Sequence, residues 1–249
     1  MTGDGVNDAP ALKQADVGIA VPEAAEAARS AAALVLTASG LGVITRAIEE
    51  ARRIFERMIT YATYRITETI RLLLFIAISV LFFNFYPVNA IMIILLAILN
   101  DIPIIAIAWD NVRTASHPVR WDMPRVLSMA TVLGLGGVIS SFLFFYVLLE
   151  NMGYSMEVIQ TMIFLKLLVA GHMTIFLTRT RGAFWEKPFP SLSLVIPLEI
   201  TQIVGTLIAV YGFLITPIGW LNAGIAWGYA LVWFFILNVV KIIVHAVQT

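Results

Sequence analysis

The sequence predicts an all-α polytopic membrane protein with six transmembrane helices, preceded by a small N-terminal α/β segment. The first reason is composition, because 60% of the 249 residues are hydrophobic and 13% are charged, whereas a soluble domain has about 45–50% apolar residues. The second is a change of pattern, since mixed, charged sequence gives way to long apolar runs from Ile66 onward. The third is that each run has about 20 residues, which suits a hydrocarbon core about 30 Å thick. A very apolar soluble helical bundle is the alternative architecture.

The N-terminal segment, residues 1–40, alternates short apolar runs with helical patterns. Asn7 and Asp8 are suitable helix caps, and Pro10 suits the first turn of a helix that runs to about Ala15. The other predicted elements of this segment are strands at 17–21 and 34–36 and a second short helix at 23–33.

From residue 41 the pattern becomes helical, and neither Pro nor Gly interrupts residues 43–86. We therefore predict one long helix that begins as a cytoplasmic stalk, residues 41–65, and continues as the first span. The six-helix domain is predicted to cover residues 66–249, with spans at 66–86, 88–108, 127–149, 158–178, 192–214 and 223–247.

Basic residues predict the orientation, because loops rich in Lys and Arg stay in the cytoplasm. They lie between the second and third spans and between the fourth and fifth: Arg113, Arg120, Arg125, Arg179, Arg181 and Lys187. The other three connections contain no Lys or Arg. We expect a multi-pass protein with both termini in the cytoplasm, in contact with the lipid bilayer. The formal net charge of zero gives no reason to expect a nucleic-acid partner.

Residues 2–13 read TGDGVNDAPALK. This string predicts a tight turn that presents Asp4 and Asp8 just before a helix N-terminus. Carboxylates of this kind hold Mg²⁺ through hard oxygens, and the backbone N–H groups of such a turn can face a phosphate. A surface turn with capping acids has the same local composition, so the turn by itself leaves both interpretations open.

The full twelve-residue string resembles the hinge motif of P-type ATPases, which belong to the haloacid-dehalogenase-like phosphotransferases. The resemblance implies that Asp4 coordinates a catalytic Mg²⁺ and that Asn7 and Asp8 orient the phosphate site, with Asp8 beside the metal. It also implies that residues 1–40 are the tail of a phosphorylation domain. That family's DKTGT phosphorylation loop, nucleotide-binding domain and first four membrane helices are not in this sequence. We expect the chain alone not to hydrolyse ATP and to need these parts, with ATP and Mg²⁺, from elsewhere, for instance from a separate chain.

Ionisable residues inside spans are candidates for ion transport, because each costs about 2.5–3.5 kcal/mol at mid-helix. The first span carries Arg65, Glu68 and Arg71, and the second carries Asn100 and Asp101, followed by a proline. Arg71 and Asp101 lie roughly 8 and 10 Å from the inner ends of their spans, so they are predicted to face each other. An Arg that moves away from an Asp would let the carboxylate bind a proton. A static ion pair, and for Asn100 a simple helix–helix hydrogen bond, are the alternatives.

The strings ETIRLLLF and AILNDIPIIAIAWDN resemble the plasma-membrane proton pumps of plants and fungi. The resemblance implies that Asp101 carries the proton and that Arg71 or Arg65 pairs with it, while Glu68 has no assigned counterpart. The function it implies is ATP-driven export of protons across the plasma membrane. Calcium needs six to eight oxygens, which this site does not offer. The alternatives are a pump for another cation (Na⁺, K⁺ or Ca²⁺) and an inactive membrane remnant or scaffold.

Three further ionisable residues lie within spans four and five: Lys166, His172 and Glu199. They suit either pairing between spans or a secondary proton path. Lys241 and His245 lie near the inner end of the last span, where they are expected to extend to the membrane surface.

Overall fold

The computed structural model describes residues 1–38, 40–115, 117 and 120–248. Ser39, within the predicted N-terminal segment, and Thr249, the last residue of the predicted six-helix domain, lie outside the described residues. The chain forms two compact units, Met1–Arg53 and Ile54–Thr249. The predicted divisions at residues 41 and 66 stay predictions.

The first unit contains a parallel three-stranded sheet in the order β1-β2-β3. Thr2 pairs with Ile19, and Ile19 pairs with Leu34. Two short helices accompany the strands and bury Leu12 and Ala28. The elements are β1 Thr2–Gly3, α1 Ala9–Gln14, β2 Ile19–Ala20, α2 Glu26–Ala31 and β3 Leu34–Val35. The predicted strands and helices are therefore present, each shorter than expected.

A glycine allows the close packing in this unit. A Cβ atom on Gly18 would lie 2.3 Å from the carbonyl oxygen of Leu12, so only glycine lets the backbone of α1 approach the segment that enters β2. The residue supplies no chemistry, but it keeps α1, and with it the loop before α1, against the sheet.

Among the described residues, six helices are long and apolar enough to cross a membrane, which confirms the predicted six-helix architecture. The first of them is one unbroken helix of 43 residues, as the absence of Pro and Gly predicted. The helices are α3 Leu41–Phe83, α4 Ala90–Ala106, α5 Met123–Met152, α6 Met156–Thr178, α7 Leu192–Tyr211 and α8 Gly219–Gln248.

Polar caps define several helix ends. The side chain of Asn89 accepts a hydrogen bond from the N–H of Met92 at the start of α4, and Ser191 does the same for Leu194 at the start of α7. Helix α7 ends at Tyr211 rather than at the predicted residue 214, because Gly212 adopts a left-handed conformation with φ of 78°.

Helix α6 is the centre of the second unit. It packs against α4, α5, α7 and α8, and 83% of its most apolar 18-residue window is buried. Residues from α6 such as Phe164 and Leu168 join residues from α3, α4 and α5 in the main apolar cluster. The polar side chains that α6 carries are therefore held inside the bundle.

Candidate functional site

The turn of residues 2–13 is closed by Asp8. Its Oδ2 atom accepts hydrogen bonds from the backbone N–H groups of Asp4 and Gly5, both at 3.0 Å. A Cβ atom on Gly3 would lie 2.7 Å from the Cβ of Asp8, so glycine is needed where the loop folds back. The predicted cap of α1 by this carboxylate is wrong, since Asp8 makes no side-chain capping hydrogen bond. The carboxylate turns back towards the strand instead.

These hydrogen bonds stabilise the ionised form of Asp8. The N–H of Gly5, followed by that of Asp4, lowers the pKa of the carboxyl below its usual value of 3.8. The side chain of Asp4 is exposed just beyond the end of β1, and Asn7 is exposed in the following turn. The loop thus presents one exposed carboxylate, Asp4, beside a second that is held ionised.

This arrangement fits Mg²⁺, which is usually bound by one or two carboxylates together with waters and phosphate oxygens. Asp4 is the residue with an exposed carboxylate, while one oxygen of Asp8 is already engaged by the loop. Within the described part of the chain no group of three or more His, Cys, Asp or Glu side chains is placed to hold a metal ion. A magnesium ion here would therefore take most of its ligands from phosphate and water.

In the second unit the candidate ion-transport residues form two separate groups. One is the exposed ion pair, Arg65 and Asp101, which links α3 to α4. The Nη1 atom of Arg65 lies 3.5 Å from Oδ1 of Asp101, and the two side chains are 53% and 57% exposed. The predicted carboxylate is therefore paired with an arginine at the edge of the bundle.

The other group is the buried cluster, Glu68, Arg71 and Asn100. The Nη2 atom of Arg71 lies 2.5 Å from Oε2 of Glu68 and donates a second hydrogen bond to the carbonyl of Leu167 on α6, at 2.9 Å. The side chains of Arg71 and Glu68 are only 4% and 12% exposed. The buried carboxylate of α3 is thus Glu68, and it already has a cationic partner.

The predicted pairing of Arg71 with Asp101 is wrong, because Arg71 faces α6. Residues three apart on a helix differ by about 60° in direction, so Arg65 and Arg71, six apart, differ by roughly 120°. Arg65 therefore reaches Asp101 while Arg71 reaches Glu68 and Leu167. Similar distances from the inner ends of two spans do not determine direction around the helix axis, and that direction decides which side chains meet.

Gly171 of α6 provides the space for the buried cluster. A Cβ atom there would lie 3.0 Å from Nη2 of Arg71, 3.2 Å from Oε2 of Glu68 and 3.4 Å from Oδ1 of Asn100. Three polar atoms of the cluster are buried without a hydrogen-bond partner: Oε1 of Glu68, Nε of Arg71 and Oδ1 of Asn100. The amide oxygen of Asn100 thus does not make the helix–helix hydrogen bond considered for it.

In the part of the chain that the structure describes, Lys166, His172 and Glu199 do not pair with one another. Lys166 donates to the hydroxyl of Ser141 at 2.8 Å, and Nε2 of His172 lies 3.2 Å from the carbonyl oxygen of Leu99. Glu199 is exposed on α7. Among the described residues no ion pair joins Lys166, His172 or Glu199 to another span.

Lys241 was expected to extend to the membrane surface, but its side chain is enclosed by the protein. It is fully buried and donates to the carbonyl of Leu177 and to both the carbonyl and the hydroxyl of Thr180, at 3.1–3.2 Å. Its ammonium group lies at the end of α6, where the helix dipole is negative. A lysine that was expected to reach water instead closes the C-terminus of the central helix.

A buried ion pair, Asp110 and Arg179, was not predicted from the sequence. The Nε atom of Arg179 lies 2.8 Å from Oδ2 of Asp110, and the side chains are 1% and 2% exposed. The other carboxylate oxygen of Asp110 accepts from the N–H of Ser191, and its carbonyl accepts from Arg57. This pair joins α3 to the connections after α4 and α6. Arg179 had been considered only as a topology signal, although an acid directly after a span was visible in the sequence.

Six helices of the described residues are long and apolar enough to cross a membrane, and charged side chains meet between them, which defines the class of a multi-pass membrane protein. The comparisons with known proteins narrow this class. The chain is 54% identical, over 98% of its length, to a protein of Methanocaldococcus jannaschii named as a cation-transporting ATPase. It is 34% identical, again over 98% of its length, to proteins of Leishmania donovani named as proton ATPases 1A and 1B.

No protein-family model matches the chain. The chain spans about 30% of the length of the curated relatives it matches. Its homologues are P-type cation-transporting ATPases, and the chain is a membrane half of such a protein.

Proposed function

We propose that this chain is the membrane half of a P-type ATPase that exports protons across the plasma membrane. ATP hydrolysis through an aspartyl-phosphate would take place outside these 249 residues, for instance in a separate chain. The observation that carries the proposal is the ion pair between Arg65 and Asp101, which places one carboxylate and one fixed cation between two membrane-spanning helices.

A paired carboxylate suits a proton better than a metal ion. Asp101 precedes Pro103, which removes a hydrogen bond inside α4 and releases a carbonyl nearby. If Arg65 moves away during the pump cycle, Asp101 loses its positive partner, and binding a proton would neutralise the carboxylate. When Arg65 returns, the ionised form is stabilised again and the proton leaves. Arg71, Glu68 and Asn100 would hold α3 and α4 against α6 during this exchange.

The acidic loop would serve the phosphate chemistry. Asp4 would bind Mg²⁺, Asp8 would hold the loop in place beside the metal, and Asn7 would orient the phosphate. The ion would supply positive charge next to the phosphate oxygens. The basic residues between α4 and α5 and between α6 and α7 support an orientation in which the loop and both termini are cytoplasmic, on the side where ATP is present.

A pump for another cation is the second candidate, because the relative that is 54% identical is named only for cation transport. Sodium, potassium or calcium would need several neutral or acidic oxygens around one point. In the described residues the two membrane carboxylates next to α4, Asp101 and Glu68, each lie against an arginine. That arrangement favours a proton pump over a metal-ion pump. Transport measurements in vesicles also distinguish an inactive remnant or scaffold from either kind of pump.

The test uses a chimera in which this chain replaces the corresponding segment of the Methanocaldococcus relative, inserted in inverted vesicles. ATP-dependent acidification of the vesicle interior is measured for the parent chimera, for Asp101→Asn and for Glu199→Gln, which alters an exposed carboxylate on another span. We expect acidification in the parent and in Glu199→Gln, and its loss in Asp101→Asn. Uptake of Na⁺, K⁺ or Ca²⁺ without acidification would refute proton export. Inserted protein with neither activity would favour a remnant.

A further inference from the structure

Lys166 is buried in the middle of α6 with little to stabilise a positive charge. Its side chain is 1% exposed, and its one hydrogen bond in the described structure goes to the hydroxyl of Ser141. No carboxylate among the described residues lies within ion-pair distance of its Nζ atom. A buried ammonium group without a carboxylate or several acceptors is far more costly than a buried amine.

Lys241 shows what a stable buried ammonium group looks like in the same bundle. It is as deeply buried as Lys166, but it donates to three oxygens at the C-terminal end of α6. Those acceptors and the negative end of the helix dipole balance its charge. Among the described residues, Lys166 has one hydrogen-bond acceptor, the hydroxyl of Ser141, where Lys241 has three.

The charges around Lys166 make a second positive group unfavourable. The charged side chains that act on it are Arg71 and Glu68, both from α3, and these two are already bound to each other at 2.5 Å. From α5, Ser141 accepts the hydrogen bond of Lys166. Ser140 lines the small cavity beside Lys166, to which α8 contributes apolar residues and an indole: Ala230, Trp233, Phe234 and Leu237. The local charge is therefore balanced when Lys166 is an amine and carries an excess of one when it is an ammonium.

A small cavity beside Lys166 supplies a place for proton exchange. It has a volume of about 20 Å³ and is lined by Lys166, Arg71 and Ser140, among others. Two of these lining residues have a buried polar atom without a hydrogen-bond partner, the hydroxyl of Ser140 and Nε of Arg71. A cavity of this volume, with polar atoms that lack partners, is sufficient for one water molecule.

We propose that Lys166 is a proton-exchanging residue, which is a neutral amine in the arrangement seen here and binds a proton delivered by water in the adjacent cavity. In that step the lone pair of Nζ forms an N–H bond as an O–H bond of a hydronium ion breaks, which leaves an ammonium group and a water molecule. The reverse step returns the proton. That this proton exchange takes part in transport rests on the proposed function, whereas the exchange itself does not.

The charge state can be observed directly in the intact chain. The sequence has four lysines, Lys13, Lys166, Lys187 and Lys241, so ¹⁵N-labelled lysine in lipid nanodiscs gives a small set of side-chain signals. Amine and ammonium nitrogens have distinct NMR shifts, and Lys166→Met, with Lys166→Gln as a second variant, identifies the signal of Lys166. The wild-type chain carries the measurement, so a poorly folded variant does not remove the test.

At pH 7 we expect an amine signal from Lys166 and ammonium signals from the other three, including the equally buried Lys241. Lowering the pH should convert Lys166 to ammonium in a one-proton transition, with a tenfold change in the amine-to-ammonium ratio per pH unit. An ammonium signal from Lys166 that persists to the same alkaline pH as that of the exposed Lys13 would overturn the proposal. Because no ATP or transport is involved, a chimera that fails to acidify vesicles would refute proton export while leaving this result intact.

Discussion

Replacing Arg179 by methionine tests whether the buried pair with Asp110 stabilises the bundle. The substitution leaves the carboxylate of Asp110, which is 2% exposed, without its cation at 2.8 Å. Removing one partner of a buried ion pair costs about 3–5 kcal/mol, so we expect the free energy of unfolding to fall by about that amount. Reversible unfolding of the chain in mixed detergent micelles measures the change.

The matched control is the same substitution at Arg125. Its guanidinium lies 3.0 Å from the carboxylate of Asp122, but its side chain is 57% exposed, and surface pairs contribute about 0–1 kcal/mol. The double variant Asp110→Asn with Arg179→Met should lose less than the sum of the two single losses, because no charge is then left buried. A loss below about 1 kcal/mol for Arg179→Met, or strict additivity, would show that the pair is not the stabilising contact inferred here.

Two further substitutions test the buried cluster and the acidic loop. Gly171→Ala places a methyl group 3.0 Å from Nη2 of Arg71 and should lower the free energy of unfolding by about 1–3 kcal/mol. The control, Gly228→Ala, has open space around it and should leave the stability unchanged or raise it by up to about 1 kcal/mol. Equal effects of the two substitutions in thermal unfolding would contradict the packing around Gly171. Asp8→Ala should speed hydrogen exchange at the N–H groups of Asp4 and Gly5 at pH 7. The pKa of Asp8 in the folded chain lies below its usual value of 3.8. The stabilisation of the loop by the ionised carboxylate is therefore complete above pH 3.8 and is lost as the pH falls through the folded pKa. If the hydrogen-exchange rates of the variant and the wild type still differ below the folded pKa, the ionised carboxylate is not what stabilises the loop.

The helices could be predicted because length and apolarity determine them in a bilayer. The continuity of α3 followed from the absence of Pro and Gly over 43–86, and five further spans followed from their apolar runs. The ends were less certain because they depend on local features, such as the left-handed Gly212 that stops α7.

The candidate sites were predicted in composition but only partly in arrangement. Asp4 and Asp8 lie close together because they are only four positions apart in a tight turn. Arg71 and Asp101 were placed at similar depth, but whether they meet depends on helix rotation, which is set by packing against α6. The contact of Asp110 with Arg179 joins residues 69 positions apart in the chain, and no local pattern predicts such a contact.

The enclosure of α6 has a consequence for how the protein is made. This helix has the lowest hydropathy of the six spans, and it carries Lys166 and His172 in its buried part. Two of the helices that cover it, α7 and α8, follow it in the chain, so they are synthesised after α6 has left the ribosome. Helix α6 is therefore only partly covered until α8 is inserted and Lys241 can bind the carbonyls at the C-terminal end of α6. Assembly of this bundle is completed by its last helix, and a chain that stops before α8 would leave its least apolar span exposed to lipid.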